Sequence, residues 1–192
     1  MGAKSSKEVI DEAIDKMEGE QPPEVREKLK KLNTDIYVEG MSPQEAMGLS
    51  DNMIEGMYSF AYRLYTLGRY DQAAQTFRLL IMMNPLEPRF TLGVAACYHM
   101  QKQYELAASS YILSTIADRD NPVPFFHASD CYIELGDMAQ AEKTLKLCLE
   151  RCKGNNPEHQ AIKNRAEVAL QQVQESLGKT KKEEKKAKPK AA

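Results

Sequence analysis

The sequence lacks the features of membrane and exported proteins. Its 192 residues include no tryptophan, and no apolar run reaches the ~18 residues that a membrane-spanning helix needs. Charged residues are scattered through residues 1–20, so this stretch does not fit a cleavable secretion signal. We therefore expect no direct membrane insertion.

Catalytic motifs are also missing. There is no glycine-rich phosphate loop, no His-Glu-x-x-His and no Gly-x-Ser-x-Gly. The spacing of His99, His127 and His159 favours no catalytic triad. His127 and Cys131 lie one helical turn apart and would supply two metal ligands, but no further ligands follow at a suitable spacing. We expect no enzyme, no cofactor and no metal.

The four cysteines do not form a paired Cys-x-x-Cys motif. Cys97 and Cys131 are 34 residues apart, and Cys148 and Cys152 are separated by one helical turn. Such positions are typical of small buried thiols in a reducing compartment rather than of a disulfide framework.

No part of the chain combines basic charge with a folded face. Residues 179–192 hold seven lysines and two glutamates, whereas the chain before residue 54 holds twelve acids and seven bases. This distribution argues against nucleic-acid binding. The lysine-rich segment 178–192 has low complexity, and we expect it to be disordered.

The sequence does contain one unit that is repeated three times. Small and large residues recur with an offset of 34, which is the length of the tetratricopeptide repeat. The clearest columns are Ala73, Ala107 and Ala141; Gly68, Lys102 and Gly136; and Phe77, Tyr111 and Leu145. The pattern predicts an all-α solenoid of helix-turn-helix repeats at about 54–87, 88–121 and 122–155.

Gly68, Lys102 and Gly136 fall where the first helix of each repeat should end. Glycine readily adopts the left-handed conformation that such helix ends use. Lys102 replaces glycine in the middle repeat, and we expect this to lower stability.

The repeats belong to a predicted domain of residues 41–177, which an N-terminal extension precedes. A capping helix is expected at 157–177, ended by Gly178. Residues 1–40 are expected to form a helical extension that carries an apolar stripe with coiled-coil-like spacing. The stripe either packs on the chain's own solenoid or forms a dimer interface, and it consists of Val25, Leu29, Leu32 and Ile36.

The first helix of each repeat should line the concave face of the solenoid. If the repeats begin at Ile54, Pro88 and Pro122, the fifth, ninth and twelfth positions point inward. These candidate peptide-binding residues are Tyr58, Tyr62, Tyr65, Leu92, Ala96, His99, Phe126, Asp130 and Ile133. The three tyrosines share one helical face, which indicates either a groove or a core stripe. We favour the groove because the core on the neighbouring face is already assigned to Met57, Ala61, Leu64 and Leu67.

Lysine, arginine and asparagine are absent from these inward positions, although repeats that hold a free C-terminal carboxylate need them. The groove should instead take an extended, fairly apolar internal segment of a partner.

Several runs resemble class II type III secretion chaperones of the LcrH/SycD family. They are MYSFAY at 57–62, GRYDQA at 68–73, FRLL at 77–80, RFTLGVAAC at 89–97 and FFHASDC at 125–131. The resemblance covers roughly residues 41–152. The 40-residue extension and the lysine-rich tail depart from the family pattern and suggest a chlamydial-type member.

The resemblance implies a bacterial cytoplasmic chaperone for hydrophobic translocator proteins. It also implies a groove for a Pro-x-Leu-x-x-Pro-like segment, with Tyr58, Tyr62 and Tyr65 at aromatic positions, and a homodimer formed through N-terminal helices. Two alternatives stay open: a tetratricopeptide scaffold or adaptor, and a regulatory protein that binds another partner.

Overall fold

The computed structural model describes residues 4–16, 22–153 and 156–187. This part of the chain is helical without strands, as the repeats predict. Its helices are α1 (Ser6–Asp15), α2 (Pro23–Tyr37), α3 (Pro43–Ala46), α4 (Asp51–Thr66), α5 (Tyr70–Met83), α6 (Pro88–Met100), α7 (Tyr104–Ser114), α8 (Val123–Glu134), α9 (Met138–Arg151) and α10 (Pro157–Ala187). None of these helices is both long and apolar enough to cross a membrane.

Helices α4 to α9 pair as the predicted repeats, and each pair packs on the next. The alanine column at Ala73, Ala107 and Ala141 is 0% exposed, because the absence of a longer side chain lets the helices approach closely. The column of large residues that begins with Phe77 is also buried. The cysteines are free and buried, and burial raises the pKa of Cys97 to about 12.

The turn inside each repeat has the expected backbone conformation. Gly68 and Gly136 have φ of 75° and 76°, and Lys102 is the only described non-glycine residue with positive φ, at 59°. The amide of Lys102 donates to the carbonyl of His99, as that of Gly68 does to Tyr65. The middle repeat therefore keeps the same turn despite its lysine.

Two of the three helices before the repeats, α1 and α3, begin at capping boxes, whereas α2 begins at Pro23 without a side-chain cap. Ser5 and Glu8 cap α1, and Ser42 and Glu45 cap α3, each serine accepting the backbone N–H that the glutamate provides. Helix α2 packs against α1 and α3.

Helix α10 covers the end of the solenoid but does not stop where we expected. Its apolar face, including Ile162, Ala166 and Val173, is buried against α8 and α9. The prediction that Gly178 ends the helix is wrong, since α10 continues to Ala187, and the predicted disorder is wrong for residues 178–187. One glycine costs a helix only ~1 kcal/mol relative to alanine, and the residues that follow are mostly strong helix formers. The rest of the predicted tail, 188–192, lies outside the described residues.

Candidate functional site

Two adjoining pockets lie on the concave face formed by the first helices of the repeats. The first has a volume of about 170 Å³ and the second about 370 Å³. They share a wall made of Tyr65, Leu92 and Ala96, so they form one continuous groove.

The first pocket is aromatic. The ring of Tyr58 lies 5.9 Å from that of Phe77 and 6.0 Å from that of Phe90. The guanidinium of Arg89 stacks 4.8 Å above the Tyr58 ring and is paired with Glu55 and Glu87. Burial raises the pKa of the Tyr58 hydroxyl, so this wall of the pocket is uncharged.

Gly93 opens this pocket by leaving space for an aromatic ring. A Cβ atom at Gly93 would lie 2.7 Å from the Phe77 ring. The ring therefore rests directly on the backbone of α6, and residue 93 adds no side chain to the groove.

The second pocket carries polar and ionisable groups. His127 stacks on the buried Tyr111 with ring centroids 5.4 Å apart, and the Tyr111 hydroxyl lies 3.4 Å from Nδ1 of His99. Nδ1 of His127 lies 3.7 Å from a carboxylate oxygen of Asp130. Burial, helped by the nearby His127, lowers the pKa of His99. Among the described residues, no group of three or more potential ligands is placed to hold a metal ion.

The structure brings most of the predicted groove residues together. Seven of the nine line the two pockets. Phe126 and Ile133 do not; the predicted place of Phe126 in the groove is wrong, and that of Ile133 stays a prediction. Phe126 is only 4% exposed, because the capping helix covers it and Arg165 stacks 4.5 Å above its ring. Ile133 packs at the edge of the same cluster.

Sequence reasoning missed several lining residues. They are Phe77, Arg89, Gly93, Met100, Tyr111, Val123 and His127. The 34-residue offset between equivalent positions of the repeats could have identified some of them. Phe77 contacts position 93, and Tyr111, one repeat later, contacts position 127. Leu67, assigned to the core, is 66% exposed at the C-cap of α4.

The predicted dimer stripe lies on a helix that is partly covered. Val25 is 39% exposed, whereas Leu29, Leu32 and Ile36 are half-buried in the layer that α2 forms with α1 and α3. The ion pair of Lys30 with Asp15 joins α2 to the end of α1.

The fold and the groove define a three-repeat tetratricopeptide solenoid. The tetratricopeptide-repeat family matches residues 54–85, 90–121 and 125–155. Low calcium response locus protein H of Yersinia pseudotuberculosis is 33% identical over 125 residues, which is 65% of this chain and 74% of that protein.

Solved structures give the same picture. SycD of Yersinia enterocolitica, in complex with a peptide of the translocator YopD, is 32% identical with a TM-score of 0.63, over 66% of this chain and 96% of that one. PcrH, known from Pseudomonas aeruginosa, in complex with the chaperone binding region of PopD, is 31% identical with a TM-score of 0.64, over 67% and 96%. The chain belongs to the LcrH/SycD family of class II type III secretion chaperones.

Proposed function

We propose that this chain is a cytoplasmic bacterial chaperone for the hydrophobic translocator proteins of a type III secretion system. An extended segment of the translocator would lie in the groove, with apolar side chains in the two pockets. The observation that carries the proposal is the groove itself, whose aromatic wall includes Tyr62 at 55% exposure. The relatives SycD and PcrH hold translocator segments in their complexes.

The mechanism follows from the difficulty that such a partner meets in water. A translocator that later enters a membrane carries large apolar surfaces, which aggregate when they are exposed. A chaperone that holds the segment extended keeps its partner soluble and unfolded until export. Binding alone supplies this activity, so the proposal needs no nucleotide and no catalytic group.

Co-expression with the hydrophobic translocators of the same secretion system tests the proposal. The native chain should convert an insoluble translocator into a soluble complex, which an adaptor for folded partners would not do. Tyr62→Ala should weaken binding about thirtyfold, since a central aromatic anchor contributes ~2 kcal/mol. Its melting temperature should not change, because the ring is largely exposed.

Ala95→Leu is the matched control. Ala95 is 0% exposed between the helices of the middle repeat, so a larger side chain should lower the melting temperature itself. If Tyr62→Ala also unfolds the protein, Tyr62 belongs to the core. If it stays folded and binds normally, the segment lies elsewhere.

We further propose that the chain forms a homodimer through its N-terminal helices, with Val25, Leu29, Leu32 and Ile36 in the interface. Val9 and Tyr37 add apolar surface to the same layer, at 52% and 72% exposure. Light scattering should give a dimer for the full chain and a monomer for a variant that lacks residues 1–49. If the full chain and the shortened variant are both monomers at tens of micromolar, the dimer is refuted.

A further inference from the structure

The two pockets are equivalent by the repeat but differ in chemistry. The slot that Gly93 leaves without a side chain is occupied one repeat later by His127. The inward column that reads Tyr62 and Ala96 continues as Asp130. The groove therefore runs from an aromatic end to an end that carries a carboxylate.

Of the two pockets, the aromatic one has a cationic side chain, Arg89, in its lining, and the second has none. Arg89 is paired with Glu55 and Glu87. Asp130 has 32% of its side chain exposed, and its ion-pair partner is His127, which is a cation only when protonated. In the described parts of the chain, no lysine or arginine forms an ion pair with Asp130.

The other groups around Asp130 add no positive charge at neutral pH. The Tyr111 hydroxyl is placed to donate to His99, whose pKa is lowered by burial, so this imidazole is neutral. Glu134, one turn further along α8, brings a second carboxylate, which adds to the effect of burial in raising the pKa of Tyr104.

A wholly apolar segment would cover the Asp130 carboxylate without replacing its water. A carboxylate that loses water without gaining a cation or hydrogen-bond donors is strongly destabilised. The segment that fits this groove must therefore supply a cation or hydrogen-bond donors where it passes Asp130, and a cation also balances the charge.

We propose that Asp130 determines specificity by binding a lysine or arginine side chain of the translocator segment, beside the apolar side chains held in the shared wall. This inference rests on the function proposed above and adds the charge of the segment.

Blocked peptides with the core Pro-x-Leu-x-x-Pro test the inference by calorimetric titration of the full chain. Lysine, norleucine or glutamate is placed at each x position in turn. With lysine at the position next to Asp130, binding should be about tenfold tighter than with norleucine, and glutamate should bind most weakly. The preference should shrink as salt rises from about 50 mM to about 500 mM, because the pair is partly exposed.

Asp130→Asn should reduce the preference for lysine to less than about twofold, by weakening the lysine peptide and tightening the norleucine peptide, because no carboxylate then loses its water. Asp120→Asn is the matched control, since it removes the same charge from an exposed position outside both pockets, and it should keep the full preference. Thermal melts of both variants show whether the fold is intact.

Equal binding of the lysine and norleucine peptides at every position would overturn the inference, as would a lysine preference that persists in Asp130→Asn. In both outcomes the peptides still bind, so the proposed function survives. If no peptide binds the native chain at millimolar concentration, the proposed segment is wrong and the inference falls with it.

Discussion

Lys102→Gly should stabilise the protein. Lys102 holds φ of 59° at the turn where the other two repeats place glycine at 75° and 76°. A residue with a Cβ atom in this conformation costs ~1–2 kcal/mol. Glycine loses about 0.5–1 kcal/mol more conformational freedom on folding. The difference predicts a net gain of ~0.5–1 kcal/mol.

The turn contains little else that the substitution would change. The side chain of Lys102 is exposed, and the backbone bonds from residues 102 and 103 to the carbonyls of His99 and Tyr98, both 2.9 Å, do not depend on it. A chain of this size gains about 2–4 °C in melting temperature per kcal/mol, so we expect a rise of ~1–4 °C. Thermal and urea unfolding followed by circular dichroism measure it.

Two further substitutions separate backbone strain from side-chain effects. Lys102→Ala removes the charge but keeps the Cβ atom, and it should leave stability nearly unchanged. Gly68→Ala should lower stability by ~1 kcal/mol, and only through the backbone, because nothing lies within 4 Å of the added Cβ atom. If Lys102→Gly lowers the melting temperature while Gly68→Ala is neutral, the left-handed turn does not carry the cost assigned to it.

Two more variants probe the groove. Gly93→Ala should lower stability by ~1 kcal/mol, because its Cβ atom would lie 2.7 Å from the Phe77 ring, and unfolding in urea measures the loss; a more stable variant would show that the ring moves aside freely. Burial lowers the pKa of His99, so the unfolded chain binds more protons, and the stability contributed by the neutral imidazole is lost as pH falls below ~6.5. His99→Gln should therefore flatten the decline of the melting temperature between about pH 7.5 and 5.5, and an unchanged decline would contradict this.

The repeats and their turns could be predicted because each set of equivalent repeat positions meets a local structural requirement. A small residue is needed where the two helices of a repeat pack closely, and a residue that adopts positive φ is needed where the first helix ends. Ala73 and Gly68 meet these requirements within one repeat, and neither depends on the rest of the chain.

Helix ends without such a requirement were harder to place. Gly178 resembles a stop signal, but the helix passes through it because one glycine costs a helix little and the following residues favour helix. Leu67 fits the apolar period of α4, yet it falls on the C-cap, where the chain turns away from the core.

The error at the third repeat has a different cause, and it explains why the two ends of the groove differ. In the first two repeats, each of which is followed by another repeat, Tyr58 and Leu92 line the groove. Behind the third repeat lies the capping helix, which draws the equivalent Phe126 into its own core beneath Arg165. The groove wall is then completed by the next residue, His127, which stacks on Tyr111. A periodic rule assumes identical neighbours, so it fails at the last repeat, and there the structure places an imidazole and a carboxylate instead of an aromatic wall.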